Sequence, residues 1–417
     1  MPNRSFMDMP APSTMIPAAV AGISSAPIQS GSIDRILRAV REHLGTEIAF
    51  VSRYVENDEK ELTHVDSDLD LPMGPGFRDP RENSYCWHIA EGRLPELIQD
   101  PADHPFTATM GITDFLPVGC HLNVPLRLSD GTLYGSFCCL SRAPDRSMND
   151  RDVGVLRAFA ALAVEQIETS LDYDYRSQRI NKRITKLIDD RAMQIHQQPI
   201  HSIKSGKPVG LECLARFPDA MMRGPDKWFE EAAEIGRGLE LELLAVECAL
   251  RSLEKVPTDY YVSVNASPDT IISGRLHQML EHAGKTNLVV EVTEHQEVDD
   301  YPALKKALKP ISEYARIAID DVGSGYAGLR HLVDLAPDML KLDMTLTRDI
   351  HQDLARCALV GAMVRFAEAI GSKLIAEGVE YAEEAEVLKK LGVEYGQGYY
   401  YAKPMPVEEA VKYLKRA

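Results

Sequence analysis

The sequence predicts two domains in series, a small α+β module followed by an α/β, (β/α)8-type (TIM-like) barrel. Three observations carry that expectation. A chain of 417 residues exceeds what one hydrophobic core usually serves. Its first part, after residue 30, reads helix, antiparallel strands, helix. From about residue 190 the pattern becomes strand, helix, strand, helix, which is the signature of repeated βα units.

Taken in order, residues 1–29 mix several prolines and Asp8 with small apolar residues ("MIPAAVAGI"), which suits a disordered segment better than a signal peptide. "IDRILRAVREHLG" carries apolar residues at helical spacing and ends on Gly45. "EIAFVSRYV" and "ELTHVDS" follow as strands, and the Pro/Gly-rich "LPMGPGFRDP" leads to a helical segment around "YCWHIAEG". "HLNVPLRLSDGTLYGSFCCLS" alternates on both sides of Asp130-Gly131, a hairpin signal. A long helix begins near Asn149, and from Leu156 to about Ile188 neither Gly nor Pro interrupts it. Its later part is polar except for a thin seam of Leu171, Tyr175, Ile180, Ile184 and Leu187. The seam suggests a signalling helix that pairs with its twin in a homodimer, against the plainer reading of a solvated connector. These elements divide the chain into 30–172, a linker at 173–189, and 190–417.

Composition bounds the function. Hydrophobic content of 45% with 26% charged residues describes a soluble globular protein, and no run of about 18 apolar residues predicts a membrane span. A net charge of −17 repels a phosphate backbone, so no nucleic acid polymer is expected as partner. Seven cysteines without regular spacing argue for a reducing cytoplasm rather than a disulfide framework. Cys86, Cys138 and Cys139 read as small hydrophobes and Cys120 as a half-buried strand residue, although Cys120-His121 superficially matches a bilin attachment site.

In the second half, short aliphatic runs each stop at a polar residue: "PVGLE", "YYVSVN", "LVVEVTE", "RIAIDD", "MLKLD", "KLIAE" and "YGQGYY". The residues at or near those ends are Glu212, Asn265, Glu291, Asp320 with Asp321, Lys341, Glu377 and Gln397. In a (β/α)-barrel the strand ends face one mouth, so groups distant in sequence should converge. A single Glu after a strand is usually a loop residue or a helix cap; seven successive strands ending this way is harder to dismiss. Carboxylates 4 Å apart repel by about 4 kcal/mol at an effective dielectric near 20, so they need cations. Oxygen ligands with one Asn amide and no Cys or His suit Mg²⁺ or Mn²⁺. Two such ions roughly 3.5–4 Å apart can activate a water and hold a phosphate, which reaches phosphoester hydrolysis without naming a substrate. "GSGYAG" from Gly323 to Gly328 matches the dinucleotide-binding pattern, but Asp320 and Asp321 would face a pyrophosphate with two negative charges, and that reading is rejected.

"GLECLARF", "VNAS", "EVTE", "DDVGSGYAGL", "KLD", "AEGVE" and "GQGYYYAKP" occur in the order and with the gaps of the EAL family, over roughly residues 190 to 410. The chain resembles EAL-domain cyclic di-GMP phosphodiesterases, with Cys213 in place of the signature Ala. The resemblance implies cyclic di-GMP as substrate and linear pGpG as product. It implies Glu212, Asn265, Glu291 and Asp320 as ligands of one metal. Asp320, Asp321 and Glu377 would hold a second, making two Mg²⁺ or Mn²⁺ per active site. Lys341 would orient the nucleophilic water, Arg216 would contact a substrate phosphate, and Gln198 and Gln397 would serve substrate contact and site ordering. Glu294 would prop the loop after Asp321. The family usually has Phe where Val322 stands and Ser-Ser at Ala327-Gly328, a departure that bears on rate and regulation. Residues 30 to 172, through "EGRLPELIQD", "PVGCHLNVPLRL" and "GTLYGSFCCLS", are similar to a GAF domain, a small sensor module whose ligand is unknown from these residues. The rival to an enzyme is an inactive cyclic di-GMP receptor. Loss of catalysis normally removes members of the carboxylate set, and none is missing.

Overall fold

The computed structural model describes residues 30–107, 110, 118–218, 223–284, 287–293, 300–323 and 329–416; the chain divides into two units, Met1–Arg176 and Ser177–Ala417.

Among the described residues, the first unit is built on a six-stranded antiparallel sheet. Helix α1 (Ser30–Leu44) precedes β1 (Ile48–Val55), β2 (Glu59–Ser67) and β3 (Arg78–Pro80). Short helix α2 (Tyr85–Ala90) follows, then β4 (Leu97–Ile98), β5 (Cys120–Arg127) and β6 (Leu133–Ser141). The spatial order is β3-β2-β1-β6-β5-β4. The predicted β5–β6 hairpin turns at Asp130-Gly131, where Gly131 takes φ +86°, a left-handed conformation that suits glycine. Asp130 Oδ1 accepts from the Thr132 amide at 2.8 Å, completing the turn.

Alternation sorts each strand between two faces. Ala49, Val51, Leu122, Phe137 and Cys139 meet Ile33, Leu37 and Val40 of α1 and Leu156, Ala160 and Ile167 of α3 (Asp150–Asp189) in the main core. On the other face Ile48, Phe50, Cys138 and Leu140 meet Leu62 and Cys86. Cys120 is buried in the main core rather than half-buried, because α1 and α3 cover that face of β5.

Helix α3 serves both units. Its first part packs in the core just described. Ile180, Ile184 and Leu187 are buried in the second unit against Trp228, Leu241 and Leu244. Three of the five seam residues expected to pair between chains are thus covered within one chain, while Tyr175 is 58% exposed.

In the second unit, eight strands among the described residues close a barrel, β7 to β14: Gln194–Ser202, Pro208–Arg216, Tyr261–Ala266, Leu288–Val292, Arg316–Val322, Met339–Leu342, Lys373–Ala376 and Tyr395–Gly396. Strands β8 to β14 are parallel, and β7 closes the ring antiparallel to both β8 and β14. A ninth strand, β15 (Met405–Pro406), adds to β7. Strand β7 is absent from the sequence reading, because Pro199 at its centre lacks the N–H a ladder normally uses. Pairing with β7 also carries β8 four residues past Glu212, to Arg216, so Glu212 lies mid-strand rather than at a strand end.

Period-two alternation builds the interior. Ile200, Tyr261, Val289, Ala318, Met339 and Ile375 fill the barrel, while neighbours such as Val290, Ile319, Leu340 and Leu374 face the helical layer. Four polar residues of the mouth stand two positions beyond a filler: Glu291 after Val289, Asp320 after Ala318, Lys341 after Met339, Glu377 after Ile375. Gly210 leaves room for the Tyr261 ring, since a Cβ there would lie 2.5 Å from it.

Candidate active site

The side chains two positions up from that apolar floor converge on Lys341. Its ammonium is wholly buried and lies 2.7 Å from Glu291 Oε2, 2.7 Å from Glu377 Oε1, 3.2 Å from Asp320 Oδ1 and 3.5 Å from Glu212 Oε1. Asp321 joins from the end of β11; its carboxylate, that of Asp320 and that of Glu377 each offer an oxygen within 4.8 Å of the others. Asp321 adopts φ +54°, and its amide donates to Asp320 Oδ1 at 3.0 Å.

Glu212 is fixed from two sides. Asn265 Nδ2 donates to its Oε1 at 3.1 Å, and Gln397 Nε2 donates to its Oε2. Gln397 Nε2 also reaches Gln198 Oε1 at 3.2 Å, and Gln198 Nε2 donates to the Ala402 carbonyl at 3.1 Å. The backbone around Gln397 is equally constrained. Gly398 holds φ +152° with the Val379 backbone 2.2 Å from where a Cβ would stand. Arg216, in register with Glu212 on the inward face of β8, stands farther out, with Nη1 donating to the Ala215 carbonyl at 2.8 Å.

The electrostatics are those of acids crowded round one base. Burial pushes the Glu291 carboxyl up to about 8, although Lys341 pulls it the other way. Glu377 is raised well above the usual carboxylate range, again chiefly by burial. Burial acts upward on Glu212 too, but Lys341 and the hydrogen bonds from Gln397 and Asn265 outweigh it and hold the group low. Burial disfavours the Lys341 ammonium, yet Asp320, Glu212, Glu291 and Glu377 together raise it well above its ordinary value.

The donor set fits hard divalent cations. Among the described residues, four carboxylates face one ammonium and a fifth, Asp321, adjoins two of them, a formal excess of four negative charges that two divalent ions would balance. Asn265 gives its N–H to Glu212 while its buried Oδ1 has no partner among the described residues, as an amide oxygen reserved for a cation would.

Of the residues expected at the site, Glu212, Glu291, Asp320, Lys341, Glu377, Asp321, Asn265, Gln397 and Gln198 come together, and Arg216 is at the rim. Glu294 and the Ala327-Gly328 pair lie outside the described residues. Val322, where the family usually carries Phe, is buried at the end of β11. Gly210 and Tyr261, the floor beneath Glu212, went unnoticed in the sequence; the small residue two places before Glu212 was the available signal.

Fold and site together define a (β/α)8 barrel with an acidic, lysine-centred mouth. Comparison with known proteins narrows this. The EAL domain family matches residues 181–404, and the chain belongs to that family. The GAF domain family matches residues 32–167. Among relatives, the probable cyclic di-GMP phosphodiesterase PdeB of Escherichia coli is 28% identical over 256 residues, covering 58% of this chain and 48% of its own. The probable cyclic di-GMP phosphodiesterase PdeA of the same organism is 30% identical over 237 residues, covering 54% and 32%. The chain therefore spans less than half the length of these relatives. Among solved structures, an EAL domain protein from Listeria monocytogenes matches with a TM-score of 0.51 at 25% identity, covering 56% of this chain and 96% of that one. The PaMucR phosphodiesterase in complex with c-di-GMP matches with a TM-score of 0.52 at 26% identity, covering 56% and 99%.

Proposed function

We propose that the chain is a cyclic di-GMP phosphodiesterase that opens the cyclic dinucleotide to linear pGpG. The observation that carries this reading is the undepleted cluster around Lys341, in a family whose relatives bear that activity in their names. Glu212, Asn265, Glu291 and Asp320 would hold one Mg²⁺ or Mn²⁺, and Asp320, Asp321 and Glu377 a second. Bound there, such ions lower the pKa of a shared water and neutralise phosphate charge.

The chain's own groups supply the rest. Gln397, braced by Gln198, and Asn265 lock the rotamer of Glu212, so one ligand oxygen is directed before any ion arrives. Lys341 keeps the carboxylates gathered and presents its ammonium to the attacking water, fixing its orientation. Arg216 at the rim would take a phosphate oxygen through its fork. Water adds to one phosphorus, the P–O3′ bond breaks, and the 3′ oxygen leaves as a hydroxyl after taking a proton. The second phosphodiester of the ring stays intact, which gives pGpG. The homodimer, control of the rate by the GAF domain and a cytoplasmic location belong to the same reading. Seven free cysteines suit a reducing compartment, and no helix among the described residues is long and apolar enough to cross a membrane.

The test is chromatographic. Full-length protein with Mg²⁺ or Mn²⁺ should convert cyclic di-GMP to pGpG, and EDTA should stop it. Tight binding without turnover under both ions would make the chain a receptor instead.

A further inference from the structure

The second face of the GAF sheet contains a cluster of ligand-type side chains that takes no part in the barrel chemistry. Alternation puts His121 on the opposite face of β5 from Cys120, and Cys138 on the opposite face of β6 from Cys139. The β5–β6 register pairs His121 with Leu140 and Asn123 with Cys138, so His121 and Cys138 are diagonal neighbours on one face. Helix α2 brings a third group over them. Ser84 caps its first turn by accepting from the Trp87 amide, and Asn123 Nδ2 donates to the Cys86 carbonyl at 3.3 Å. Cys86 is thereby set with its Sγ 3.1 Å from Cys138 Sγ and 3.9 Å from His121 Nε2.

All three side chains are buried, and one ligand atom from each lies within 4.8 Å of the others. His121 is the odd member. Among the described residues its Nδ1 is buried without a partner, and thiol sulfur is the polar neighbour of its Nε2. A thiol 3.9 Å away is a weak partner for a buried ring nitrogen, and a cation held by the same sulfur would serve Nε2 better.

We propose that Cys86, Cys138 and His121 form a binding site for one borderline-soft divalent cation of the zinc class. Two thiolates and an imidazole are the ligands such an ion prefers, and they differ in kind from the oxygen set of the barrel. Metal–sulfur bonds of about 2.3 Å in a tetrahedron hold sulfurs about 3.8 Å apart, so the pair need open by less than about 1 Å. Charge favours the same conclusion. One divalent ion with two thiolates and a neutral imidazole is neutral as a unit, and the adjacent Lys60–Asp79 pair at 3.2 Å balances itself, so no net charge is buried.

The adjoining cavity measures about 40 Å³ and is bordered by Phe50, Lys60, Asp79, Cys86 and His121. A water needs roughly 10–15 Å³, so the cavity has room for the one that would complete a tetrahedron as fourth ligand. It is far below the roughly 300 Å³ at which organic-ligand pockets begin, so among the described residues the space suits a small ion better than a tetrapyrrole or nucleotide. The ion would tie α2 to the central hairpin.

Cobalt(II) is the probe, because thiolate-to-cobalt charge transfer in the near ultraviolet reports sulfur ligation and stays silent for the all-oxygen barrel site. Full-length protein, stripped with chelator, reduced and then supplied with saturating Mg²⁺, is titrated with Co²⁺. The band should saturate at one equivalent per chain and vanish on addition of one equivalent of Zn²⁺. Cys86→Ser and Cys138→Ser should each abolish it, and His121→Gln should weaken it. Cys248→Ser, in the other unit, should leave it unchanged. Three outcomes overturn the proposal: no thiolate band in the reduced parent protein, a band that survives both serine variants, or a Cys86–Cys138 disulfide in freshly isolated protein by non-reducing peptide mass spectrometry. The first and third need only the parent chain, so a variant that fails to fold cannot shield the idea. Turnover of cyclic di-GMP is not part of the readout, so this site and the proposed activity stand or fall separately.

Discussion

Replacing Lys341 with methionine keeps the length of the side chain but removes the cation at the centre of four carboxylates. Each contact, at 2.7 to 3.5 Å, corresponds to about 5–6 kcal/mol at an effective dielectric near 20. These do not sum, because the carboxylates repel one another and the ammonium is itself desolvated. The relevant magnitude is the cost of orphaning a buried charge, about 3–5 kcal/mol. For a domain of this size that is a drop in Tm of roughly 6–20 °C. Protonation blunts the loss near neutrality, since Glu291 and Glu377 already take protons readily; the deficit should therefore be greater at about pH 9 than at about pH 7. Saturating Mg²⁺ should recover much of the stability, because divalent charge replaces the missing ammonium, but not the activity. Turnover at saturating metal should remain about 10²–10³-fold down, as for loss of one aimed donor. The assay is calorimetry of the chelated and Mg²⁺-loaded variant at both pH values, alongside steady-state kinetics. A chelated variant as stable as the parent at high pH would refute the account of Lys341 as the site's counter-charge; full kcat with metal would refute its role toward the water.

The other predictions concern titration, positioning and coupling. Chelated parent protein should lose stability as pH rises from about 7 to 9. Glu291 has a raised folded-state value, so its contribution is complete below the ordinary carboxylate range and is lost as pH rises through about 8; Glu377, raised well above that range by burial, acts in the same direction. Over that window the contributions of Glu212 and Lys341 stay constant. Urea denaturation should show a smaller slope in Glu291→Gln; an equal slope removes Glu291 from the explanation. Gln397→Ala frees one oxygen of Glu212 and should weaken Mg²⁺ binding and kcat/KM by about 10–100-fold with little change in fold, measured by metal titration and kinetics. Two glycines inserted beside the exposed Tyr173 should decouple any GAF control of the barrel without disturbing Ile180, Ile184 and Leu187; identical kcat for parent, insert and a chain starting at Ser177, with and without cell extract, would deny that control.

Much of the barrel was legible because its information is local. An aliphatic run ending in a carboxylate marks a strand and its functional end at once, and alternation then separates Met339 from Leu340 and Lys341 from Leu342. That reasoning found Asn265, Glu291, Asp320 and Glu377 without geometry. It failed where information is relational. Strand β7 hid behind Pro199. The gathering of four carboxylates on Lys341 depends on the curvature of a closed sheet, which no window of sequence displays. Cys86 and Cys138 read as packing residues because 52 positions separate them. Only the hairpin register and the docking of α2 set their sulfurs beside His121.

The reversal of β7 decides where the polypeptide arrives. In an all-parallel barrel the first strand starts at the base, and the preceding segment is delivered to the end remote from the chemistry. Here the first strand runs downward: Gln194, five residues after the end of α3, lies opposite Arg216, and Gln198 opposite Glu212. The doorway of the barrel is its acidic rim. A displacement of the last turns of α3 would meet Arg216 and the Gln198–Gln397–Glu212 chain before it reached any filler of the interior.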